Sequence, residues 1–437
     1  MSRPSRLAWG AAALCVASAA GAVPPAEPLA QLDRLYPELE ALYLDLHAHP
    51  ELSGRESKTA AKLAERLRRL GFEVTTSVGG EGLVGLLRNG SGPTVMLRTD
   101  LDGLPVEERT GLPYASREVV QDDSGAQVHV MHACGHDVHM TAWIGTAALL
   151  AGARQSWRGT LLLVGQPAEE TGVGARAMLA AGLFERFPKP DFAVAIHDSP
   201  DLEAGRVGLT AGFALANVDS VDITVHGVGG HGAYPQATVD PVLIASRIVV
   251  TLQSIVAREN NPLDPAVITV GSIHGGTKHN VIPDEVRLQL TVRSYRDEVR
   301  RRLLAAIERV AKAEAAAAAA PQPPDFKVSQ GTPATFNDPP TTSRLGAALR
   351  RALGESAVTD LPPVMGGEDF SEFGRAGVPA VVLWVGAVEP EAYRAAKAEG
   401  RALPSLHSPL FAPDRERTLR TAVRAEAVAL LELLGRP

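Results

Sequence analysis

Cysteine is nearly absent from this chain: 437 residues hold two, Cys15 and Cys134. That scarcity excludes a disulfide-stapled fold. Aromatic residues are 5% of the chain, and no basic cluster interleaves with them, so nucleic acid is not an expected partner. Long apolar runs are missing too, apart from one at the N-terminus. There Arg3 and Arg6 precede an apolar run from Leu7 to Ala20, and Ala20-Gly21-Ala22 offers a small-x-small cleavage pattern. This reads as a secretory signal peptide over 1–22, too short and wrongly flanked for a membrane span. Cys15 raises the question of lipidation, but no leucine stands three residues before it. No other stretch reads as a bilayer span. The expected product is soluble, exported to the periplasm or beyond, and without a membrane partner.

Cleavage after Ala22 would leave Cys134 as the only thiol and take the net charge from −7 to −9. An unpaired cysteine in an exported protein is buried and inert, reactive, or metal-bound. About 415 remaining residues suggest two or more domains. Residues 30–210 alternate apolar runs with helical periodicity, the pattern of an α/β layer fold. Strands are expected at 94–99, 160–165 and 192–196, and helices at 57–70 and 138–152. From about 213 the character changes. VDSVDITVHG and EVRLQLTVRSY alternate strictly, as half-buried antiparallel strands do. Helical stretches near 239–258 and 296–319 accompany them, the second alanine-rich and stopped by Pro321. A strand at 380–385 resumes the first pattern. The expected architecture is α/β: one domain over 28–212 and 333–437, with a central, mostly parallel sheet, interrupted by an α+β domain over 213–332.

The chemistry gathers at strand ends. Strand 160–165 runs into GQPAEE, placing Glu169 and Glu170 where open α/β sheets hold ligands. On an extended chain these two side chains would point to opposite sides and could take different tasks. Strand 94–99 ends at Asp100, with Asp102 two residues on, and strand 192–196 ends at His197. Three strands thus deliver Asp, Glu and His to one edge. Cys134 and His136 lie just before helix 138–152, and thiolate, imidazole and carboxylate suit zinc, or manganese with less comfort from sulfur. His132 and His139 fit hydrogen-bonded support behind the ligands. A catalytic Cys134–histidine pair is the rival reading, since a helix N-terminus lowers a thiol pKa. The glutamate pair favours metal, because a thiol enzyme has no use for it.

Eight short motifs then occur in order: HPELSGRE (49–56), RTDLDGLP (98–105), MHACGHDVH (131–139), QPAEE (166–170), GGHGAYP (229–235), GGTKHNVIPDEV (275–286), GGEDFSEF (366–373) and LHSPLF (406–411). With them the chain resembles the two-metal aminoacylase and carboxypeptidase family, in the branch of hippurate hydrolases and indole-acetyl-amino-acid hydrolases. The resemblance implies that Cys134, His136, Glu170, His197 and His407 hold two divalent metals, with Glu169 as general base. It implies a homodimer in which His231, from an inserted lid and dimerisation domain, reaches a neighbour's active site to steady the oxyanion. Asn280 and Arg293 correspond to the pair that holds the substrate carboxylate. Two features depart from the pattern: Asp198 after His197, and the long connection 389–404 before His407.

The expectation is a metal-dependent amidohydrolase that cleaves N-acyl-amino acids through a water activated by two metals. A dipeptidase or carboxypeptidase on the same site is the alternative. A Cys134 thiol enzyme and a non-catalytic metal or amino-acid binding protein stand further back.

Overall fold

The computed structural model describes residues 26–435, so the signal-peptide reading of 1–22 lies outside the described residues. The first strands are Glu73–Thr76 (β1), Leu83–Asn89 (β2), Thr94–Asp100 (β3), Gly159–Gln166 (β4), Phe192–Glu203 (β5) and Val207–Leu209 (β6). Asn217–His226 (β7), Ala266–His274 (β8), Glu285–Ser294 (β9) and Asp325–Gln330 (β10) follow, then Val358–Asp360 (β11) and Ala380–Val388 (β12). The principal helices are Leu32–Ala48 (α1), Ser57–Arg69 (α2), His136–Gly152 (α3), Pro241–Ser254 (α4), Asp297–Ala317 (α5), Pro339–Leu353 (α6) and Arg415–Leu433 (α7).

An eight-stranded sheet runs in the order β1-β2-β4-β3-β5-β12-β6-β11. Its centre, β4-β3-β5-β12, is parallel, and antiparallel pairs flank it on both sides. Both faces are covered, which is why its strands read as near-continuous apolar runs. Val95, Leu97, Leu161 and Leu163 face one core with α1, α2, α3 and α7. Met96, Leu162 and Val164 face a second core with Met178, Phe370 and Phe373. The fold class is the expected α/β. Helix α3 is buried on nearly every side, and a helix buried all round needs no polar stripe.

The chain leaves this body through Gly212–Leu215, which pairs with the returning strand Thr335–Asn337. Between them a four-stranded antiparallel sheet, β8-β9-β7-β10, builds its own core. Val221, Ile223 and Val225 of β7 and Leu288, Leu290 and Val292 of β9 pack there on α4 and α5. The alternate residues Val218, Ser220 and Arg293 stand on the opposite face and look into a cleft against the body. Strict alternation in the sequence therefore separates core from cleft wall, residue by residue.

Three expectations change. Strand β5 does not end at His197 but continues to Glu203, because β12 goes on pairing with it, Trp384 opposite His197, after its pairing with β3 has ended at Arg98 and Ala195. The 389–404 connection is not loop throughout but contains the helix Pro390–Glu399, capped by the Glu389 carboxylate on Ala392 N. Finally, one helical segment among the described residues, Pro241–Glu259, is long and apolar enough to cross a membrane. Its Ile244, Ile248 and Leu252 are buried on the insert sheet, while Leu243 and Val250 are exposed.

Candidate metal centre

Cys134, Gly135 and His136 form the entry to α3. Gly135 is the helix N-cap, with φ 76°, and a Cβ there would lie 2.1 Å from Asp198 Oδ2. Only glycine fits this left-handed, close-packed turn, and the turn sets the thiol and the imidazole at the C-terminal end of the parallel strands. The Cys134 Sγ lies 3.5 Å from His197 Nε2 and 3.3 Å from His407 Nε2. His407 Nε2 is 3.4 Å from Glu170 Oε2, and His136 Nε2 is 3.8 Å from Glu170 Oε1. Cys134, His136 and His197 converge as one potential metal-binding triad; Cys134, Glu170 and His407 converge as another. The sulfur is common to both.

Orphaned atoms show which groups have capacity left. His136 Nδ1 is engaged by the Asp102 carbonyl at 2.8 Å, and its Nε2 is buried without a partner. Glu170 Oε1 is likewise buried and unpaired. His197 Nδ1 donates to the Asp198 carbonyl at 2.8 Å, turning Nε2 to the sulfur. Buried polar atoms left unpaired are costly, and divalent metals satisfy this N, O and S donor set. His139 differs, since both its nitrogens are engaged: Nδ1 by Asp100 Oδ1 at 2.8 Å, Nε2 by the Asp198 amide at 3.0 Å. Burial opposes charge on His139, yet Asp100 and Asp198 raise its pKa to about 9. His132 stands behind the site with Nδ1 on the Asp102 carbonyl at 3.1 Å, and burial lowers its pKa to about 4. Asp198, the departure from the family pattern, packs on His139 below the cluster, its Oδ1 3.3 Å from Nε2.

The glutamate pair does not sit on extended chain. Ala168 adopts φ 52° and turns the backbone, so the two carboxylates diverge through a turn and not through strand alternation. Glu169 Oε2 lies 4.0 Å from His136 Nε2. Burial, then the carboxylates of Glu368, Glu170 and Asp369, push the Glu169 pKa well above its ordinary value. Burial likewise takes Glu170 to about 7 and pushes the Cys134 thiol well up. A thiol raised by burial and carboxylates is a poor free nucleophile, which disfavours the thiol-enzyme reading.

Sequence reasoning missed the charge cluster beneath Glu169. Arg98, fully buried on β3, bonds Gln166 Oε1 at 2.9 Å, Asp100 Oδ2 at 2.7 Å, Glu368 Oε1 at 2.8 Å and Asp369 Oδ1 at 3.1 Å. An arginine inside the apolar run TVMLRT was the available signal, since such a residue is almost never buried unpaired.

The cleft measures about 530 Å³ and is lined by Cys134, Glu169, Glu170, His197 and His407, with Leu215, Val218, Val364, Trp384 and Leu406 on its apolar side. Arg293 reaches it, half-buried, holding the Met365 carbonyl through Nη1 at 2.8 Å. His231 and Asn280 are not brought there. They are exposed, side by side where Gly230–His231 pairs with Val281–Ile282.

Residues 96–401 match the family described as peptidase family M20/M25/M40. The chain belongs to this family. It is 36% identical over 347 residues to an N-acetyl-L-cysteine deacetylase of Bacillus subtilis, covering 78% of this chain and 79% of that one. It is 35% identical over 340 residues to a hippurate hydrolase of Campylobacter jejuni, covering 77% and 85%. A crystal structure from Bacillus subtilis, described as a dinuclear metal binding peptidase of the M20 family, superposes with a TM-score of 0.72 at 29% identity, covering 92% and 100%. The chain is a metal-dependent hydrolase of amide bonds, with two groups of side chains placed to hold metal.

Proposed function

We propose that this M20 hydrolase cleaves N-acyl-amino acids. The observation that carries the reading is the cleft itself, which combines a buried carboxylate beside unpaired ligand atoms, one cationic guanidinium and an apolar wall. Cys134, His136, Glu170, His197 and His407 would hold the two metals, zinc or manganese. When bound, the metals supply Lewis acidity toward water and the amide carbonyl. Glu169 takes the proton of the attacking water and returns it to the leaving amine, a task suited to a carboxylate whose pKa burial has raised. The Arg293 guanidinium, whose hydrogen bonds go to Thr291 Oγ1 and the Met365 carbonyl, receives the substrate carboxylate in its planar fork. Leu215, Val364, Trp384 and Leu406 receive the acyl group.

The same reading includes export and a homodimer. Leu243 and Val250 of α4 are 60% and 73% exposed, and β8 is an edge strand. Both favour a second copy on this face. His231, distant from its own cleft, then serves the neighbour's oxyanion, with Asn280 beside it helping to hold the carboxylate.

The test is hydrolysis by metal-loaded enzyme of acetyl, benzoyl and indole-acetyl amino acids beside a free-amine dipeptide. Release of the amino acid from the acyl series, with the dipeptide turned over at least about tenfold more slowly, is expected. The opposite preference makes the enzyme a dipeptidase.

A further inference from the structure

The stretch 49–56 supplies no ligand and no cleft residue, yet it ends in a fully buried carboxylate. Glu56 Oε1 accepts from Gly54 N at 2.9 Å and from Ala168 N at 2.7 Å, while Oε2 is buried without a partner. Glu56 precedes α2, so helix capping is the first role to consider. That role is already taken: the Glu51 carboxylate accepts from Thr59 N at 2.7 Å in the first turn of α2. The Glu56 carboxylate instead faces Ala168, the residue with φ 52° that turns the chain into Glu169 and Glu170. A left-handed backbone is costly for alanine and persists where surroundings enforce it.

The turn after Ala168 closes on itself through Gly172 N to the Glu169 carbonyl at 2.7 Å and Thr171 Oγ1 to the Ala168 carbonyl at 3.1 Å. Two hydrogen bonds tie it to the other described residues. One is Ala168 N to Glu56. The other is Glu170 N to Asp102 Oδ2 at 3.0 Å, and that same oxygen accepts from Ser53 Oγ at 2.6 Å. Two buried carboxylates therefore grip the backbone amides on either side of Glu169, and both are tied to the loop 53–56. Charge-assisted bonds of this kind are stronger than neutral ones and fix geometry.

We propose that Glu56 is a positioning residue that fixes the Glu169–Glu170 turn through the Ala168 amide, and so sets both the base and a metal ligand. The inference rests on the reading that Glu169 is the base and Glu170 a ligand. Supporting groups behind metal ligands typically contribute about 10–100-fold to affinity or activity. Glu56→Ala should therefore lower kcat about 10–100-fold on whichever amide the wild type cleaves, with KM within about twofold, and weaken metal binding about tenfold in a titration of the metal-stripped chain. Glu56→Gln, whose amide oxygen still accepts both N–H groups, should restore kcat to within about threefold. Glu56→Asp keeps the charge but shortens the reach, and should lose kcat about tenfold. This variant decides the matter if Glu56→Ala does not fold. A folded Glu56→Ala or Glu56→Asp with kcat and metal affinity within twofold of wild type overturns the proposal, as does a Glu56→Gln variant as impaired as Glu56→Ala. A wild type that cleaves no N-acyl-amino acid overturns the functional reading instead, and the metal titration still tests Glu56.

Discussion

Glu426 should make stability fall as pH rises, and replacing it with glutamine should remove that dependence. This side chain is fully buried on α7, with Thr146 Oγ1 donating to Oε2 at 2.7 Å and Oε1 unpartnered. Burial raises its pKa from 4.5 to about 8, against the Thr146 hydrogen bond and nearby His139, with Asp100 adding to the rise. The folded state therefore binds more protons than the unfolded chain between those two values. Stability from this group is fully present below pH 4.5 and is lost as pH climbs through 8. At about 1.4 kcal/mol for each pH unit, the window removes about 5 kcal/mol. Glu426→Gln keeps an acceptor for Thr146 but buries an amide N–H₂, a pH-independent cost of about 1–3 kcal/mol. At pH 5 the variant should be the less stable protein, and at pH 9 the more stable by about 2 kcal/mol or more. Urea unfolding of both proteins at pH 5, 7 and 9 measures the difference, in which effects of the metal site cancel. Parallel stability curves would refute the reasoning, because they would mean that Glu426 is already ionised in the fold.

Glu169→Gln should abolish turnover, by about 10²–10⁴-fold, while metal content measured by emission spectroscopy stays near wild type. Gly135→Ala should destabilise by about 2–5 kcal/mol, from the left-handed backbone and the 2.1 Å approach to Asp198, and should release metal; thermal unfolding and metal analysis read both. Arg293→Ala should raise KM about tenfold or more for acyl-amino acids but leave KM for the corresponding amino-acid amides nearly unchanged, as steady-state kinetics would show. Metal removal by chelation should lower the unfolding temperature and restore it on reloading, since ligand binding to the folded state adds RT ln(1 + [L]/Kd).

The strands begun at 94–99, 160–165 and 192–196 were legible because burial on both faces forces long apolar runs, and the alternating strands Asn217–His226 and Glu285–Ser294 because one-sided burial forces alternation. That Cys134, His136, Glu169, Glu170 and His197 lie close together was legible because they stand on or just after those strands or open α3. What stayed hidden depends on partners far away in sequence. Arg98 gains its meaning from Glu368 and Asp369, 270 and 271 residues on. Glu56 gains its own from Ala168, 112 residues away. The turn at Glu169 was misjudged because alanine rarely adopts positive φ, and nothing local in QPAEE announces it.

The exit at Gly212–Leu215 and the return at Thr335–Asn337 are hydrogen-bonded neighbours. Strands β11 and β12, which complete the body sheet, lie beyond the insert in the chain. Were the insert a flexible loop of about 120 residues, bringing its ends together would cost about 4 kcal/mol in chain entropy. Folded on its own core, it already presents both ends one strand spacing apart, about 4.8 Å. The unit that walls the cleft thereby also acts as a staple that lets the two halves of the body find each other.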